Sequence, residues 1–366
     1  FKKSPSKSVN LIEVKGNSIT EEEVVRRNII LSEGDSLTEY KLKKSLDNLR
    51  STGIFKSVNY EEKSINNEKI NLEIKVEEQP TGSISAGVGV GSSGSSIGTG
   101  ISEKNLFGKG LTLNSNLSLG TEKIQGNVNL MVPDFKNTDN SFSNNFYIVS
   151  SDLENAGYES TIAGNISSIE YDIFEDVRFG FGGGIERDKI TTNSSASQLY
   201  KSRAGNYLTY KGFYNIINDK RDKKFQTTKG YKTEINQTLA LPGSDIPFIE
   251  NNVSGQIYYP ISKQHTFSVK SGLSSINSFN NKDVKLSDRQ FLTNKKLRGF
   301  ENFGVGPKDG KDHVGGNYSA YANFSSTVPN AIPDKWNAKS IVFFDIGNVW
   351  GVDYDSSLDS DKIRSS

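Results

Sequence analysis

From Thr81 onward, apolar residues recur at every second position and helical spacing disappears. Ile84, Ala86, Val88 and Val90 alternate with Ser85, Gly87 and Gly89. Leu111, Leu113, Leu117 and Leu119 alternate with Thr112, Asn114, Asn116 and Ser118. Leu208, Tyr210, Tyr214 and Ile216, and then Phe267, Val269 and Leu273, continue the pattern. A period of two is the mark of a strand with one apolar and one polar face. Gly, Asn, Asp and Ser separate the segments, so the strands are expected to follow one another as an antiparallel meander. Thirteen candidate strands begin near residues 82, 93, 110, 123, 141, 156, 176, 204, 229, 247, 265, 313 and 337.

A soluble sandwich would alternate too, but two features favour a membrane barrel. Many segments reach the ~9–11 residues that a membrane-crossing strand needs. Their polar face is rich in Asn, Ser, Thr and Lys, which suits a wet lumen. Phe107, Phe135, Tyr158, Tyr231 and Tyr259 sit near strand ends, as interfacial girdle residues do. Only 34% of the 366 residues are hydrophobic, and no apolar run approaches the ~18 residues of a membrane helix. A barrel escapes that objection because only alternate residues face lipid.

The charge balance, 44 basic against 43 acidic residues, gives no electrostatic case for nucleic acid. The absence of cysteine excludes disulfides and thiolate metal sites and fits an oxidising compartment. His265 and His313 lack metal-ligand spacing, and no nucleophile–base constellation is visible, so neither a metal, a cofactor nor a catalytic residue is expected. Gly89-Val90-Gly91-Ser92-Ser93-Gly94 matches a dinucleotide pattern, but a phosphate site needs a helix to start there and another alternating segment follows. The chain begins at Phe1 without a signal peptide and ends on what reads as the start of a strand, Lys362–Ser366. It is expected to be a fragment at both ends.

Residues 8–79 follow other rules. Leu11-Ile12-Glu13-Val14 suggests a strand, Thr20 with Glu23 a capping box, and Leu42, Leu46 and Leu49 a second helix ending near Gly53. Strands around Ile54–Glu61 and Glu68–Glu78 complete a β-α-α-β-β order, near the lower size for independent folding. A ferredoxin-like module is the bland alternative. With Val14-Lys15-Gly16-Asn17 and Leu49-Arg50-Ser51-Thr52-Gly53-Ile54-Phe55, the segment resembles a POTRA domain.

The stretch from about Ser278 to Asp312 is too long for a passive hairpin connection. It carries Lys295-Lys296-Leu297-Arg298-Gly299-Phe300. Downstream, Phe343-Phe344-Asp345-Ile346-Gly347-Asn348-Val349-Trp350 is a strand with one carboxylate among apolar residues. An acid there is costly unless it points inward and finds a cation, and Arg298 is the candidate. Gly299 would permit the tight turn and Phe300 would anchor the tip. These motifs resemble the signature of the BamA superfamily of outer-membrane assembly and translocation barrels. Ser102–Gly110 and Asn218-Asp219-Lys220-Arg221-Asp222 resemble family turns; the second also reads as a salt-bridged turn.

That resemblance implies a POTRA domain at 8–79 in the periplasm and an all-β antiparallel transmembrane β-barrel at 81–366. Thirteen of an expected sixteen strands would be visible. It implies that Arg298, Gly299, Phe300 and Asp345 lock the loop inside the barrel. The family often has a second acid at the position matching Ser325, so the arginine would have one ionic partner here. The implied activity is insertion of unfolded β-barrel proteins into a bacterial outer membrane. Accessory lipoproteins would dock on the POTRA domain. A weak seam strand, Gly82, Ile84, Ala86, Gly87, Val88, Gly89 and Val90, would template the incoming strand. A two-partner secretion pore and a passive porin remain the alternatives.

Overall fold

The computed structural model describes residues 7–91, 94–136, 138–153, 157–192, 196, 198–224, 226–262, 265–279, 282–328 and 340–366. Ser92 and Ser93 of the glycine-rich pattern, and the expected strand starts near 93, 156 and 337, lie outside them. Two compact units emerge. One comprises Phe1–Gly87, Gly98–Leu117 and Asn127–Asn144; the other comprises Val88–Ile97, Ser118–Gly126 and Asn145–Ser366.

The first unit opens with β1 (Ser8–Lys15), α1 (Glu22–Arg26), α2 (Glu39–Ser51), β2 (Phe55–Ser64) and β3 (Lys69–Glu78). The strands pair in the order β1-β3-β2, with β1 parallel and β2 antiparallel to β3. Leu42, Leu46 and Leu49 of α2 meet Ile12, Val58, Leu72 and Ile74 of the sheet in one apolar core. Thr38 caps α2 by accepting a hydrogen bond from the Lys41 amide. The expected capping box at Thr20 does not form. Glu21 is the N-cap of α1 and makes no side-chain cap. The Thr20 hydroxyl is spent elsewhere: it accepts from Asn105 Nδ2 at 2.9 Å, while the Glu21 amide donates to the Gly108 carbonyl at 2.8 Å.

The long strands are β4 (Gly82–Gly91), β5 (Gly94–Leu106), β6 (Leu111–Gly120), β7 (Lys123–Val132), β8 (Ser141–Leu153), β9 (Tyr158–Phe174), β10 (Val177–Thr192), β11 (Gly205–Asp219), β12 (Gly230–Ala240), β13 (Phe248–Pro260) and β14 (Thr266–Ser278). A helix, α3 (Gln198–Arg203), precedes β11. After β14 come a two-residue hairpin, β15 (Lys308–Asp309) with β16 (Asp312–His313), then β17 (Tyr318–Val328), β18 (Ser340–Trp350) and the short β19 (Arg364–Ser365). Fourteen strands form one antiparallel sheet in the order β19-β18-β17-β14 and then sequentially down to β4. The strand expected near 313 starts five residues later, because Asp312 and His313 are used by the β15–β16 hairpin.

Alternation sorts the residues by face. Ile235, Val253 and Leu273 lie directly opposite one another on β12, β13 and β14 and are 41%, 46% and 61% exposed. Leu117 and Leu119 are also exposed, as a lipid-facing row requires. The other face carries a polar row across six strands: Asp219, Lys232, Gln256, Lys270, Asn323 and Asp345 are successive register partners. We call this the inner face. Among the expected girdle aromatics, Phe107 and Tyr259 are exposed, but Tyr158 is buried. It packs edge-on against Tyr200, and its hydroxyl donates to the Leu286 carbonyl. Its position at a strand end did not reveal that the long loop covers it.

Candidate functional site

Residues 282–317, between β14 and β17, fold onto the inner face. At the tip, Arg298 presents three donors to one carboxylate. Its Nε donates to Asp345 Oδ2 at 2.6 Å, its Nη2 donates to Oδ1, and its backbone amide donates to Oδ2 at 3.1 Å. The guanidinium carbon lies 3.8 Å from the centre of the Phe343 ring, a cation–π contact. Nη2 also donates to Ser325 Oγ at 3.1 Å, so a neutral acceptor stands where a second acid was considered. The Asp345 side chain is 0% exposed and that of Arg298 is 32% exposed.

The motif on β18 is explained by its inner face. Phe343 and Asp345 hold Arg298. Gly347 leaves room for the loop: a Cβ there would fall 2.8 Å from Leu292 Cδ1 and 3.0 Å from the Ala320 carbonyl oxygen. Val349 joins Leu292, Leu297 and Val305 in a buried cluster, against which Phe300 packs. Gly299 has φ +82°, a conformation that side chains rarely adopt, and it turns the chain between Arg298 and Phe300. The structure therefore brings Arg298, Gly299, Phe300 and Asp345 together.

Further ionic contacts hold the same loop, Arg203 with Asp283 among them, and the sequence reading missed them. Lys285, with its side chain 1% exposed, lies 3.4 Å from Asp188 and 3.9 Å from Glu186 on β10. Around them, Tyr147 donates to Glu186 at 2.7 Å, Lys211 pairs with Glu186 at 2.8 Å, and Ser160 donates to Asp188 at 2.8 Å. Ser287, from the loop, also donates to Asp188. Nearer the neck, buried Arg289 pairs with Asp353 and lies over the Tyr354 ring. A signal existed for the first cluster: Glu186 and Asp188 are two residues apart on a strand, so both acids share a face.

The other expected residues lie at a sheet edge. Every residue from Gly82 to Val90 is exposed, with Ile84 at 80%, Val88 at 83% and Val90 at 89%. Among the described residues, β4 has β5 as its neighbour in the strand order. The turn at 218–222 is salt-bridged, with Arg221 gripping Asp219 through two hydrogen bonds. No cluster able to hold a metal ion occurs among the described residues.

A three-stranded α+β module leading into a long antiparallel meander, with a loop clasped to the inner face, defines a POTRA-plus-barrel class of membrane protein. The Omp85 superfamily domain matches residues 105–366, and the POTRA family, described as a surface antigen variable number repeat, matches residues 8–79. The chain belongs to the Omp85 superfamily. It is 28% identical over 376 residues to the outer membrane protein assembly factor BamA of Neorickettsia risticii, covering 98% of this chain and 49% of that protein. The BamA of Neisseria meningitidis is 26% identical, with 96% and 48% covered. The chain thus spans about half the length of these relatives. A SAM50-like protein of Schizosaccharomyces pombe is 28% identical, over 72% of this chain and 57% of that protein. Among solved structures, BamA from Haemophilus ducreyi lacking POTRA domains 1–3 superposes with a TM-score of 0.87 at 23% identity, covering 98% of this chain and 77% of that one. That likeness concerns the fold.

Proposed function

We propose that this chain is the membrane-embedded part of a factor that inserts β-barrel proteins into a bacterial outer membrane. Residues 8–79 are its periplasmic POTRA domain and 81–366 its barrel domain. What supports the reading is the Omp85 superfamily match over residues 105–366, together with the glycine content of β4, the first strand of the long sheet. Unpaired edge amides and carbonyls accept an added strand. Gly82, Gly87 and Gly89 lower the packing at that edge, so a bound strand can later leave. The names of the BamA and SAM50-like relatives support the same reading.

On this reading the protein is not an enzyme and uses no cofactor, because folding of the substrate supplies the free energy. Its partners are unfolded barrel precursors, surrounding lipid and accessory lipoproteins. The edge strands β1 and β2 of the POTRA sheet offer the same chemistry to an extended segment. The Arg298–Asp345 clasp holds the loop, and through it the inner face, in one arrangement.

The test is reconstitution of the intact protein in liposomes with an unfolded outer-membrane barrel substrate, scored by the heat-modifiable gel mobility of the folded product. Folding well above that in protein-free liposomes is expected. Accumulation of substrate inside the vesicles would instead favour a secretion pore. Equal folding without the protein would sink the proposal.

A further inference from the structure

Beneath the loop tip, the inner face holds a cavity of about 510 Å³ whose lining, among the described residues, carries Arg221, Lys224, Lys270, Lys295 and Arg298 and no Asp or Glu. Asp219 neutralises Arg221, and Asp345 neutralises Arg298. Lys224, Lys270 and Lys295 are exposed and form no ion pair among the described residues. Three lysine charges are therefore left uncompensated in one concave site. Low-dielectric walls concentrate the field of such a cleft, drawing anions towards it.

We propose that this cavity binds the carboxylates of an acidic, extended polypeptide segment, and, resting on the assembly reading above, that the segment belongs to the incoming barrel substrate. The size lies within the roughly 300–1,000 Å³ of ligand pockets. The remaining lining decides the class of ligand. Gln256, Ser268, Asn323 and Ser325 offer amides and hydroxyls suited to a peptide main chain. Ile341 is the only aliphatic residue in the lining among the described residues, so an acyl chain would find little apolar surface. Ser325 adds a specific point. It touches Arg298 Nη2 with a neutral hydroxyl, leaving the outer side of the guanidinium without a second carboxylate among the described residues. A ligand carboxylate can take that place, and Lys270 stands directly opposite Asn323, the register partner of Asp345.

The probe is a fluorescein-labelled hexaglutamate peptide, added to the intact protein in detergent micelles and followed by fluorescence anisotropy. Saturable binding that weakens with added salt is expected, with no binding of hexaglutamine. Lys270→Gln with Lys295→Gln should lower the affinity about tenfold or more, since two attractive charges are removed. Ser325→Asp, which supplies an internal carboxylate, should lower it several-fold. Heat-modifiable mobility confirms that each variant is folded. No hexaglutamate binding, or an unchanged affinity in the folded double-lysine variant, would overturn the proposal. So would competition by short-chain phosphatidylglycerol or inorganic phosphate at concentrations as low as those of unlabelled hexaglutamate, since the site would then select phosphate. The insertion assay run beside it separates the two readings. Absent peptide binding with insertion intact refutes only the acidic-segment site, whereas peptide binding without insertion refutes the assembly reading.

Discussion

Asp345 receives two side-chain donors and one backbone donor from Arg298. The fork fits a carboxylate because guanidinium is planar and stays charged, whereas an ammonium offers a point charge. Arg298→Ala is therefore expected to impair insertion strongly and Arg298→Lys to restore part of it. In a double-mutant cycle with Asp345→Ala, the coupling should be roughly 1–3 kcal/mol; strictly additive losses would mean that the residues do not act as a pair. This site was legible because one carboxylate interrupted an apolar strand. Thr20 was not, since a Thr-x-x-Glu spacing carries no information about Asn105, 85 residues away. Glu78 makes a related point. Burial disfavours its charge, but Ser18, the Ile19 amide and Thr20 donate to it and hold its carboxyl at about 2. Its folded value lies below the unfolded one, so its stabilisation is present above about pH 4.5 and is lost as pH falls through about 2. Hydrogen exchange at Ser18–Thr20, corrected for intrinsic rates, should show protection lost across that window. Glu78→Gln should remove the pH dependence; if the variant retains it, another group is responsible.

The loop between β14 and β17 is an element held at several points, and those points differ in how much the sequence revealed. Its length announced it, and its tip matched a known pattern. Its path was invisible, because Lys285 reaches Asp188 across 97 residues of chain and no local period records such a contact. The acids on β10 were readable as a same-face pair, but their partner was one lysine among many. Removing the cation tests how much this anchor holds. Lys285→Met leaves Asp188 and Glu186 buried with less compensation, and breaking a buried pair from one side costs about 3–5 kcal/mol. The cost should appear as loop release: trypsin should cut after Lys295, Lys296 and Arg298 faster than in the parent protein. Lys285→Met with Asp188→Asn should recover part of the protection, since the unpaired charge is gone. Equal cleavage in parent and Lys285→Met would show that the loop is held without Lys285, by the tip clasp and the Arg289–Asp353 pair.

At the scale of the whole molecule, the sheet was the most legible part, because alternation is local and repeats in every strand. The thirteen long strands from β4 to β18 start within a few residues of the expected positions except where the loop hairpin intervenes. What alternation cannot say is how a sheet treats its edges, where the proposed function would act. In an antiparallel strand the amides of alternate residues point to opposite neighbours. One set on β4 therefore bonds to β5 and the other faces away from it. Proline removes a single amide donor. A proline scan from Ser83 to Val90 should consequently alternate in effect. Substitutions on the β5-facing set should weaken the fold, lowering the temperature at which heat-modifiable mobility is lost. Substitutions on the other set should leave that temperature within a few degrees of the parent while cutting insertion of the substrate. Two readouts moving in opposite phase along one strand are hard to produce by general destabilisation. If both readouts fall together at every position, or if insertion survives proline throughout the outward set, β4 does not template the incoming strand.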